Sequence, residues 1–482
     1  MKIDRWLVQT HRWIGIVLCL FFAAWFVSGM VLMYVPYPSL SQQQLLQNTL
    51  EVAPSSLRVG PAQAIATAGR HTLDRLRIIN RDGHPVYVLH PENERVFAID
   101  AQTGKVADMG PAAAKRIANH FAGGEVIQLD ADVEYDQWVV SNDFDPYRPF
   151  YRAHIDDAAG TVLYISQLSG EVVQRTRRAE RGWNYLGAVV HWIYPTILRQ
   201  HWMAWDQLVW WLGLAGTIGA LIGIWLGIVR TQAALRIRGR GLSPFRGWLR
   251  WHHVMGLFIG VFVLTWIFSG WLSMDHGRLF STPEPTDAFK REFRGTSLEQ
   301  AVAPYSAELF SGMEPFREAE FTLINGKLLL VVRQAEGQRI YFPGNSDQAA
   351  VDELTEEQVL AAAQNVWPDK KVVSVGRLDD ADAYGKLRAG SLPPTAIRVV
   401  YDDPAQTWLH VDAASGEILS VMDRSRRMYR WFFNGLHSLD IPGLANHRPW
   451  WDIIMLILLS LGFAFSLTGA IIGTRRLGLI AR

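Results

Sequence analysis

Four stretches of the chain lack charged residues over the length of a membrane span. They cover residues 13–36, 207–229, 254–274 and 453–474. A helix rises about 1.5 Å per residue, so about 20 apolar residues cross the hydrocarbon core of a bilayer. The hydrophobic pattern therefore predicts an integral membrane protein with four transmembrane helices.

The two long segments between these stretches show the patterns of strands and amphipathic helices. Residues 86–90 and 95–104 form β-rich runs around a polar turn, and similar runs recur at 161–173 and 407–419. The apolar spacing of residues 355–367 predicts a helix that packs on such a sheet. We therefore predict two folded α+β domains, and a flexible glycine-rich connector at residues 239–244.

These elements predict a division of the chain into seven parts. The parts are 1–36 (N-terminus and first helix), 37–182 (first loop domain), 183–230 (histidine segment and second helix), 231–251 (basic loop), 252–275 (third helix), 276–428 (second loop domain) and 429–482 (histidine segment, fourth helix and C-terminus).

Charge predicts the orientation in the membrane. Residues 1–12, 230–253 and 474–482 hold 12 of the 47 basic residues and one of the 46 acidic residues. The remainder has 35 bases and 45 acids, although the whole chain has a net charge of only +1. By the positive-inside rule, both termini are predicted to be cytoplasmic and both loop domains to lie outside. The first helix is predicted to be retained, because it is too long for a signal peptide.

The chain repeats itself in two registers. The first and third apolar stretches match at an offset of 241, and the second and fourth match at 246 together with the chain before them. Both copies start and end on the same side, so we predict parallel repeats about an axis along the membrane normal. Pairs at offset 246 include Asp156 and Asp402, Trp205 and Trp451, Gly223 and Gly469, Gly227 and Gly473, and Arg230 and Arg476.

Histidines recur in these registers near the ends of the apolar stretches. His11 and His252 differ by 241 positions, and His191 and His437 differ by 246. Ionisable groups at membrane depth are mostly functional, and paired imidazoles on facing helices can hold haem iron. We predict that His11 and His252 ligate a cytoplasmic-side haem, and that His191 and His437 ligate an outer one.

Three further histidines are secondary candidates. His201 and His447 form a rival outer pair, also at an offset of 246. His253 stands where the first copy has Arg12, and we expect it to meet a haem propionate or a lipid headgroup. For a lone histidine, an interfacial or hydrogen-bonded imidazole is the ordinary alternative to ligation.

Glycines near these positions have two interpretations. Gly227 and Gly473 are predicted to flank the cytoplasmic-side haem, and Gly29 and Gly270 the outer one. Close packing of membrane helices explains such small-residue stripes equally well. Both interpretations can hold together.

Acidic and aromatic residues cluster where the second and fourth helices begin. Asp206 and Asp452 are expected either to orient an outer histidine or to cap these helices. The tryptophans around them favour an aromatic belt at the membrane surface. They are Trp202, Trp205, Trp210, Trp211, Trp450 and Trp451.

Motifs that are absent from the sequence limit the type of haem and the source of electrons that we predict. Cys19 is the only cysteine, and no Cys-x-x-Cys-His motif occurs, so any haem is predicted to be b-type. The predicted cytoplasmic pieces contain no dinucleotide-binding motif or P-loop. We therefore expect electrons from a separate donor, either a cytoplasmic reductase or a quinol.

The chain resembles the PepSY-associated transmembrane family of iron-regulated bacterial inner-membrane proteins. The similar pieces are His11-Arg-Trp-Ile-Gly15, Val190-His191, Trp251-His252, Leu436-His437 and the strand and turn at 411–419. This family includes siderophore-iron reductases such as the ferrioxamine reductase. The resemblance implies a four-helix di-haem module in the inner membrane, with two periplasmic PepSY-like domains that receive a ferric siderophore and release ferrous iron.

The leading hypothesis is thus a ferric-siderophore reductase with two b-type haems, whose partners are a ferric chelate, a separate electron donor and the lipid bilayer. A non-redox alternative is a PepSY-type binding or regulatory protein with a peptide or protease partner, for which the helices serve as an anchor. A permease for iron chelates is disfavoured by the charge-free helix interiors.

Overall fold

The computed structural model describes residues 2–69, 72–237, 241–276, 285–344, 350–379, 382–387 and 390–479. Residues 239 and 240 of the predicted connector lie outside the described residues. The helices are α1 (Lys2–Leu32), α2 (Gln42–Asn48), α3 (Pro61–Ala68), α4 (Pro111–Ala122), α5 (Arg178–Asn184), α6 (Thr196–Arg199), α7 (Trp202–Leu235), α8 (Gly247–Leu272), α9 (Asp287–Arg294), α10 (Leu298–Val302), α11 (Glu356–Val366), α12 (Arg424–Arg430) and α13 (Trp450–Arg476).

The strands all lie between α1 and α7 or between α8 and α13. They are β1 (Leu73–Arg81), β2 (His84–Pro91), β3 (Phe97–Asp100), β4 (Val126–Val133), β5 (Phe150–Ile155), β6 (Val162–Ser166), β7 (Val172–Thr176), β8 (Glu318–Ile324), β9 (Lys327–Arg333), β10 (Gln338–Tyr341), β11 (Val372–Arg377), β12 (Lys386–Leu387), β13 (Gly390–Ser391), β14 (Ala396–Tyr401), β15 (Trp408–Asp412) and β16 (Ile418–Met422).

Four helices are long and apolar enough to cross a membrane, as predicted. They are α1, α7, α8 and α13, and their apolar windows have mean hydropathies between 1.9 and 2.4. Each contains most of one charge-free stretch, although α1 ends at Leu32 rather than near Pro36. The chain is therefore a membrane protein with α+β regions between its helices.

The four long helices form a bundle. Helix α1 packs against α7 and α13, and α8 packs against the same two helices. Phe26, Trp266 and Met455 belong to its buried core. The two β-containing segments join the helices at one end of the bundle, the loop side, and the chain termini lie at the opposite end, the terminal side.

The two β-containing segments share one sheet. Its strand order is β10-β9-β8-β1-β2-β3, so each segment contributes three strands. Strands β1 and β8 run antiparallel at the centre, with Arg77 opposite Glu320. The hairpins β1-β2 and β8-β9 turn through Asp-Gly and Asn-Gly pairs with positive φ, which suit tight hairpins (Asp82, Gly83, Asn325, Gly326).

Buried ion pairs cross this shared sheet. The Arg77 guanidinium lies 2.7 Å from a carboxylate oxygen of Glu171 and 3.1 Å from one of Glu318. Arg333 pairs with Glu318 at 2.8 Å and with Glu320 at 2.6 Å. Burial would raise the pKa of Glu320, but the nearby arginines lower it to about 2. Glu320 therefore stays ionised, and the Arg77–Glu318 pair joins the two segments.

Each segment also has a four-stranded antiparallel sheet of its own. The first has the order β4-β5-β6-β7 with α4 packed on it, and the second has the order β11-β14-β15-β16 with α11 packed on it. Strand β7 leads into α5, and β16 leads into α12. These two short helices carry the chain back to the bundle, where His191 and His437 lie.

Candidate functional site

One histidine pair lies within the bundle towards the terminal side. His11 on α1 and His252 on α8 face each other, with ring centres 6.4 Å apart and an interplanar angle of 42°. The Nδ1 atom of His11 is 2.9 Å from the carbonyl oxygen of Gly219 on α7. The Nδ1 atom of His252 is 2.9 Å from the hydroxyl of Thr468 on α13. All four long helices therefore hold this pair.

The second pair lies at the loop side. His191 and His437 each follow a π-helical turn, at Tyr185–Val189 and Trp431–Gly435. Their ring centres are 6.0 Å apart, and the rings are inclined by 77°. The structure thus brings together both predicted pairs.

Serine hydroxyls hold the loop-side rings. The Oγ atom of Ser28 on α1 is 3.0 Å from Nδ1 of His191, and the Oγ atom of Ser269 on α8 is 3.0 Å from Nδ1 of His437. Both serines are fully buried. His191 is therefore held by α1, the helix that carries His11, and His437 is held by α8, the helix that carries His252.

These partners determine where the ring protons lie. Ser28, Ser269 and Thr468 each donate a hydroxyl to a backbone carbonyl of their own helix, at 3.1, 3.0 and 2.6 Å. A hydroxyl has one proton, so each must accept from the histidine Nδ1–H. The Gly219 carbonyl can only accept, so Nδ1 of the remaining histidine, His11, is a donor as well.

In the neutral form, all four rings therefore present an unprotonated Nε2 atom. No hydrogen bond to these Nε2 atoms occurs among the described residues. A neutral imidazole with its other nitrogen bound to an oxygen is the form in which histidine ligates metals. The pairs therefore have the protonation state of ligands before any metal binds.

Each ring also lies against a glycine. A Cβ atom at Gly29 would be 3.5 Å from His191, and one at Gly270 would be 3.6 Å from His437. At Gly223 it would be 2.6 Å from the Cε1 atom of His11, too close for any real side chain, and at Gly469 3.5 Å from His252. Helix α7 can approach His11 only because residue 223 has no side chain.

The glycines of the predicted stripes differ in their distance from the histidines. Gly29 and Gly270 lie at the loop-side histidines, as expected. Gly227 and Gly473 instead approach Leu257 and Ile16. Gly223 and Gly469, one helical turn earlier, lie beside His11 and His252.

The two pairs are well separated along the bundle. Ser28 follows His11 by 17 positions on α1, and Ser269 follows His252 by 17 positions on α8. At about 1.5 Å per residue this is about 25 Å, most of the thickness of a hydrocarbon core. The arrangement has one histidine pair near each end of the predicted span.

The donor set fits haem better than a bare metal ion. With metal–nitrogen bonds of about 2.0–2.1 Å on both sides, the centres of two axial imidazoles lie about 6 Å apart. The observed 6.4 and 6.0 Å agree with this spacing. No group of three or more histidine, cysteine, aspartate or glutamate side chains among the described residues could hold a metal ion alone. Each histidine pair supplies only two ligands, so a macrocycle would have to supply the other ligands of the metal ion.

The secondary histidines are placed differently. His201 and His447 are exposed, and no described contact joins them. His253 is buried, with Nε2 3.0 Å from the carbonyl oxygen of Gly227 and Nδ1 3.0 Å from the hydroxyl of Ser243. Both nitrogens of His253 are thus engaged, and the residue ties α8 to α7 and to the connector.

The acidic residues do not orient the loop-side histidines. Asp206 pairs with His276 at 2.6 Å, and Asp452 pairs with Arg448 at 3.3 Å. His276 did not stand out in the sequence because it lies outside the repeat register.

Trp205 and Trp451 form hydrogen bonds inside the protein in addition to lying near the predicted aromatic belt. Trp205 and Trp451 are buried. Their indole nitrogens donate to the carbonyl oxygens of Trp192 and Ser438, both at 3.0 Å. Each acceptor directly follows a loop-side histidine, so these indoles hold the histidine-bearing backbone. Trp202, Trp211 and Trp450 are exposed, as a belt requires.

Sequence reasoning missed the hydroxyls that orient the rings. Ser28 and Ser269 do match at the offset of 241, directly before Gly29 and Gly270. That repeated Ser-Gly pair was the available signal. No comparable signal marked Thr468 or the Gly219 carbonyl, because their proximity to the histidines depends on how separate helices pack.

Comparison with known families gives a match over most of the bundle. The family described as the PepSY-associated TM region matches residues 8–315, more than half of the chain. This range includes His11, His191 and His252. No curated protein matches the chain.

Proposed function

The chain belongs to the PepSY-associated TM family, and we propose that it transfers electrons through two b-type haems to a ferric siderophore outside the cell membrane. The single observation that carries the haem proposal is the spacing and hydrogen bonding of the paired histidines. Four half-buried rings each place Nδ1 beside a hydrogen-bond acceptor and leave Nε2 without a hydrogen bond among the described residues, in two pairs with ring centres 6.4 and 6.0 Å apart.

In this proposal His11 and His252 hold one haem, and His191 and His437 hold the other. Bound haem supplies a one-electron carrier in the membrane. The protein residues keep the rings neutral, set their orientation and exclude water from them. Ser28, Ser269, Thr468 and the Gly219 carbonyl do this by accepting the Nδ1 protons.

A parallel duplication accounts for the matched contacts. Ser28 and Ser269 play the same role in the two halves, and so do Trp205 and Trp451. The central pairing of β1 with β8 is consistent with a two-fold axis along the bundle. Basic residues near the termini favour an inside location for both termini in a bacterial inner membrane, which makes the loop side periplasmic.

The siderophore-reductase part of the proposal rests on family resemblance and topology. The loop-side pair would give its electron to a ferric chelate in the periplasm, and ferrous iron would be released there. One electron would pass from the reduced protein to Fe³⁺ of the chelate and convert it to Fe²⁺, so charge would balance without a further reactant.

Optical spectroscopy of the purified full-length protein tests both parts. We expect a Soret band, and an α-band after reduction with dithionite. Anaerobic addition of a ferric hydroxamate should then reoxidise the protein with formation of ferrous iron. A protein without haem contradicts the first part, and a reduced protein that no ferric chelate reoxidises contradicts the second.

A binding function has one observation in its favour. A cavity of about 260 Å³ lies between the two β-containing segments, lined by apolar side chains of α2 and α4 and by charged groups that include Glu171, Arg317 and Glu318. In this alternative a peptide or protease partner binds the loop domains and the helices are an anchor. It predicts that His11→Ala and His437→Ala variants keep full function.

A further inference from the structure

The loop-side ends of α7 and α8 carry a histidine–aspartate pair outside the proposed haem sites. The Nε2 atom of His276 is 2.6 Å from a carboxylate oxygen of Asp206. The two side chains retain 25% and 12% of their exposure, so a ligand can reach them. Because a carboxylate only accepts, Nε2 carries the proton and Nδ1 of His276 has a free lone pair.

This pair has the form of a proton acceptor. No hydrogen bond to Nδ1 of His276 occurs among the described residues. A carboxylate behind an imidazole stabilises the imidazolium that forms when Nδ1 takes up a proton. Asp206 therefore holds the His276 ring with Nδ1 unprotonated and available to accept a proton.

Aromatic rings surround the pair. His276 stacks on Trp210, with ring centres 5.0 Å apart and an angle of 11°. Trp210 contacts Trp271, whose indole nitrogen is buried without a hydrogen-bond partner among the described residues. Gly213 permits this approach, since a Cβ there would be 2.9 Å from Trp271. The cluster thus offers flat apolar surfaces, an unused donor and a base.

The cluster lies where a lipid-soluble molecule can enter. Leu208 and Trp211 on α7 are exposed at the same end of the bundle. His276 follows Ser269 by seven residues and lies just beyond the loop-side end of α8, on the same side as the serine that holds His437. A ligand at the cluster is therefore close to the loop-side histidine pair and far from the terminal-side pair.

We propose that His276, Asp206 and Trp210 bind a lipid-soluble hydroquinone, which is the electron donor; this inference rests on the proposed haem function. A hydroquinone has an aromatic ring that stacks, a hydroxyl that donates to Nδ1 of His276, and a tail that lies in the bilayer. Its oxidation breaks two O–H bonds and releases two protons and two electrons. The protons would pass in turn to His276 and to solvent on the loop side, and the two electrons would go to the haems held by the two histidine pairs, one to each.

The repeat supplies a matched control. Asp452 stands 246 positions after Asp206 but pairs with Arg448 instead of a histidine. His276→Gln removes the base, and Asp206→Asn removes the carboxylate that supports it; both variants retain a side chain that can hydrogen-bond. Asp452→Asn makes the same chemical change at the equivalent position without touching the proposed site.

Stopped-flow reduction of the full-length haem protein by decylubiquinol is the kinetic test. We expect Asp206→Asn and His276→Gln to slow haem reduction by about 100-fold or more, the contribution typical of a general base. Dithionite should reduce both variants fully, with unchanged spectra, and Asp452→Asn should match the wild type. Equal rates in all variants, or no reduction of the wild type by decylubiquinol, would overturn the inference and leave the haem proposal standing.

Photolabelling provides a readout that does not depend on turnover. An azidoquinone should label peptides from the loop-side ends of α7 and α8, and excess decylubiquinone should suppress that labelling. Labelling elsewhere, or labelling that decylubiquinone does not suppress, contradicts the site. A wild-type protein without haem contradicts the proposed function instead, so the two failures are distinguishable.

Discussion

Ser269 holds His437 in one protonation state. Its Oγ atom lies 3.0 Å from Nδ1 of the ring and donates its only proton to the Trp266 carbonyl, also at 3.0 Å. The indole nitrogen of Trp266 in turn donates to the His437 carbonyl at 2.8 Å. One turn of α8 therefore orients both the ring and the backbone of a proposed haem ligand.

Removal of that hydroxyl should weaken the loop-side haem site. We expect Ser269→Ala to lower haem affinity there by about 10- to 100-fold, because the ring loses the acceptor that orients it. Haem transfer to excess apomyoglobin measures the loss. Ser273→Ala is the control, since that hydroxyl bonds only to the Gly270 carbonyl on the same helix. Equal haem loss from both variants would count against the role of Ser269.

A methyl group at Gly223 should disrupt the terminal-side site alone. Its Cβ would lie 2.6 Å from His11, so the ring must move or α7 must retreat. We expect Gly223→Ala to lose about half of the bound haem, while the remaining spectrum keeps the features of the loop-side site. Gly15→Ala on α1 should keep both haems, because its Cβ would have nothing within 4 Å. Full haem content in Gly223→Ala would contradict this prediction.

The shared sheet should depend on its buried carboxylates. Glu318→Ala leaves Arg77 and Arg333 each without one partner, and we expect a loss of about 3 kcal/mol in the free energy of unfolding of the β-containing segments. Circular dichroism of the full-length protein during denaturant unfolding measures this loss. The exposed Glu314→Ala should change it by less than about 0.5 kcal/mol. Similar stabilities for the two variants would show that the ion pairs do not join the segments.

Lowering the pH should destabilise the β-containing segments already at pH values well above those at which carboxylates titrate. Burial, with the neighbouring Arg398, lowers the pKa of His410 to about 3, and burial with Arg77 lowers the pKa of His90 to about 3. An unfolded histidine titrates near 6.5. Between these values the unfolded chain binds more protons, so stability is complete above about pH 6.5 and falls as the pH decreases towards 3.

Thermal unfolding midpoints between pH 7 and pH 4 measure this dependence. His410→Gln should reduce the slope, since glutamine can hydrogen-bond but cannot take up the proton. His120→Gln, an exposed histidine on α4, should leave the slope unchanged. A slope that is the same in all three proteins would contradict the assignment.

Much of the fold follows from local pattern. The four apolar stretches predicted α1, α7, α8 and α13, and alternation predicted β-strands between them. The offsets of 241 and 246 predicted which histidines meet, on the expectation that equivalent residues of parallel repeats face one another across an axis. The β1–β8 pairing had no such signal, since strands so far apart in the chain reveal their partner only when both segments fold.

The histidine pairs show which features of the site the local sequence pattern predicts and which it does not. Residue identity and spacing were enough to propose four ligands, since helix geometry converts spacing into position along the bundle. The protonation state of each ring depends instead on contacts between helices: Ser28 on α1 with His191, Thr468 on α13 with His252, and the Gly219 carbonyl on α7 with His11. A hydrogen bond requires about 3 Å between two atoms, and a shift of one turn moves an atom about 5 Å. Packing alone sets that distance, and it placed Gly223 rather than Gly227 beside His11.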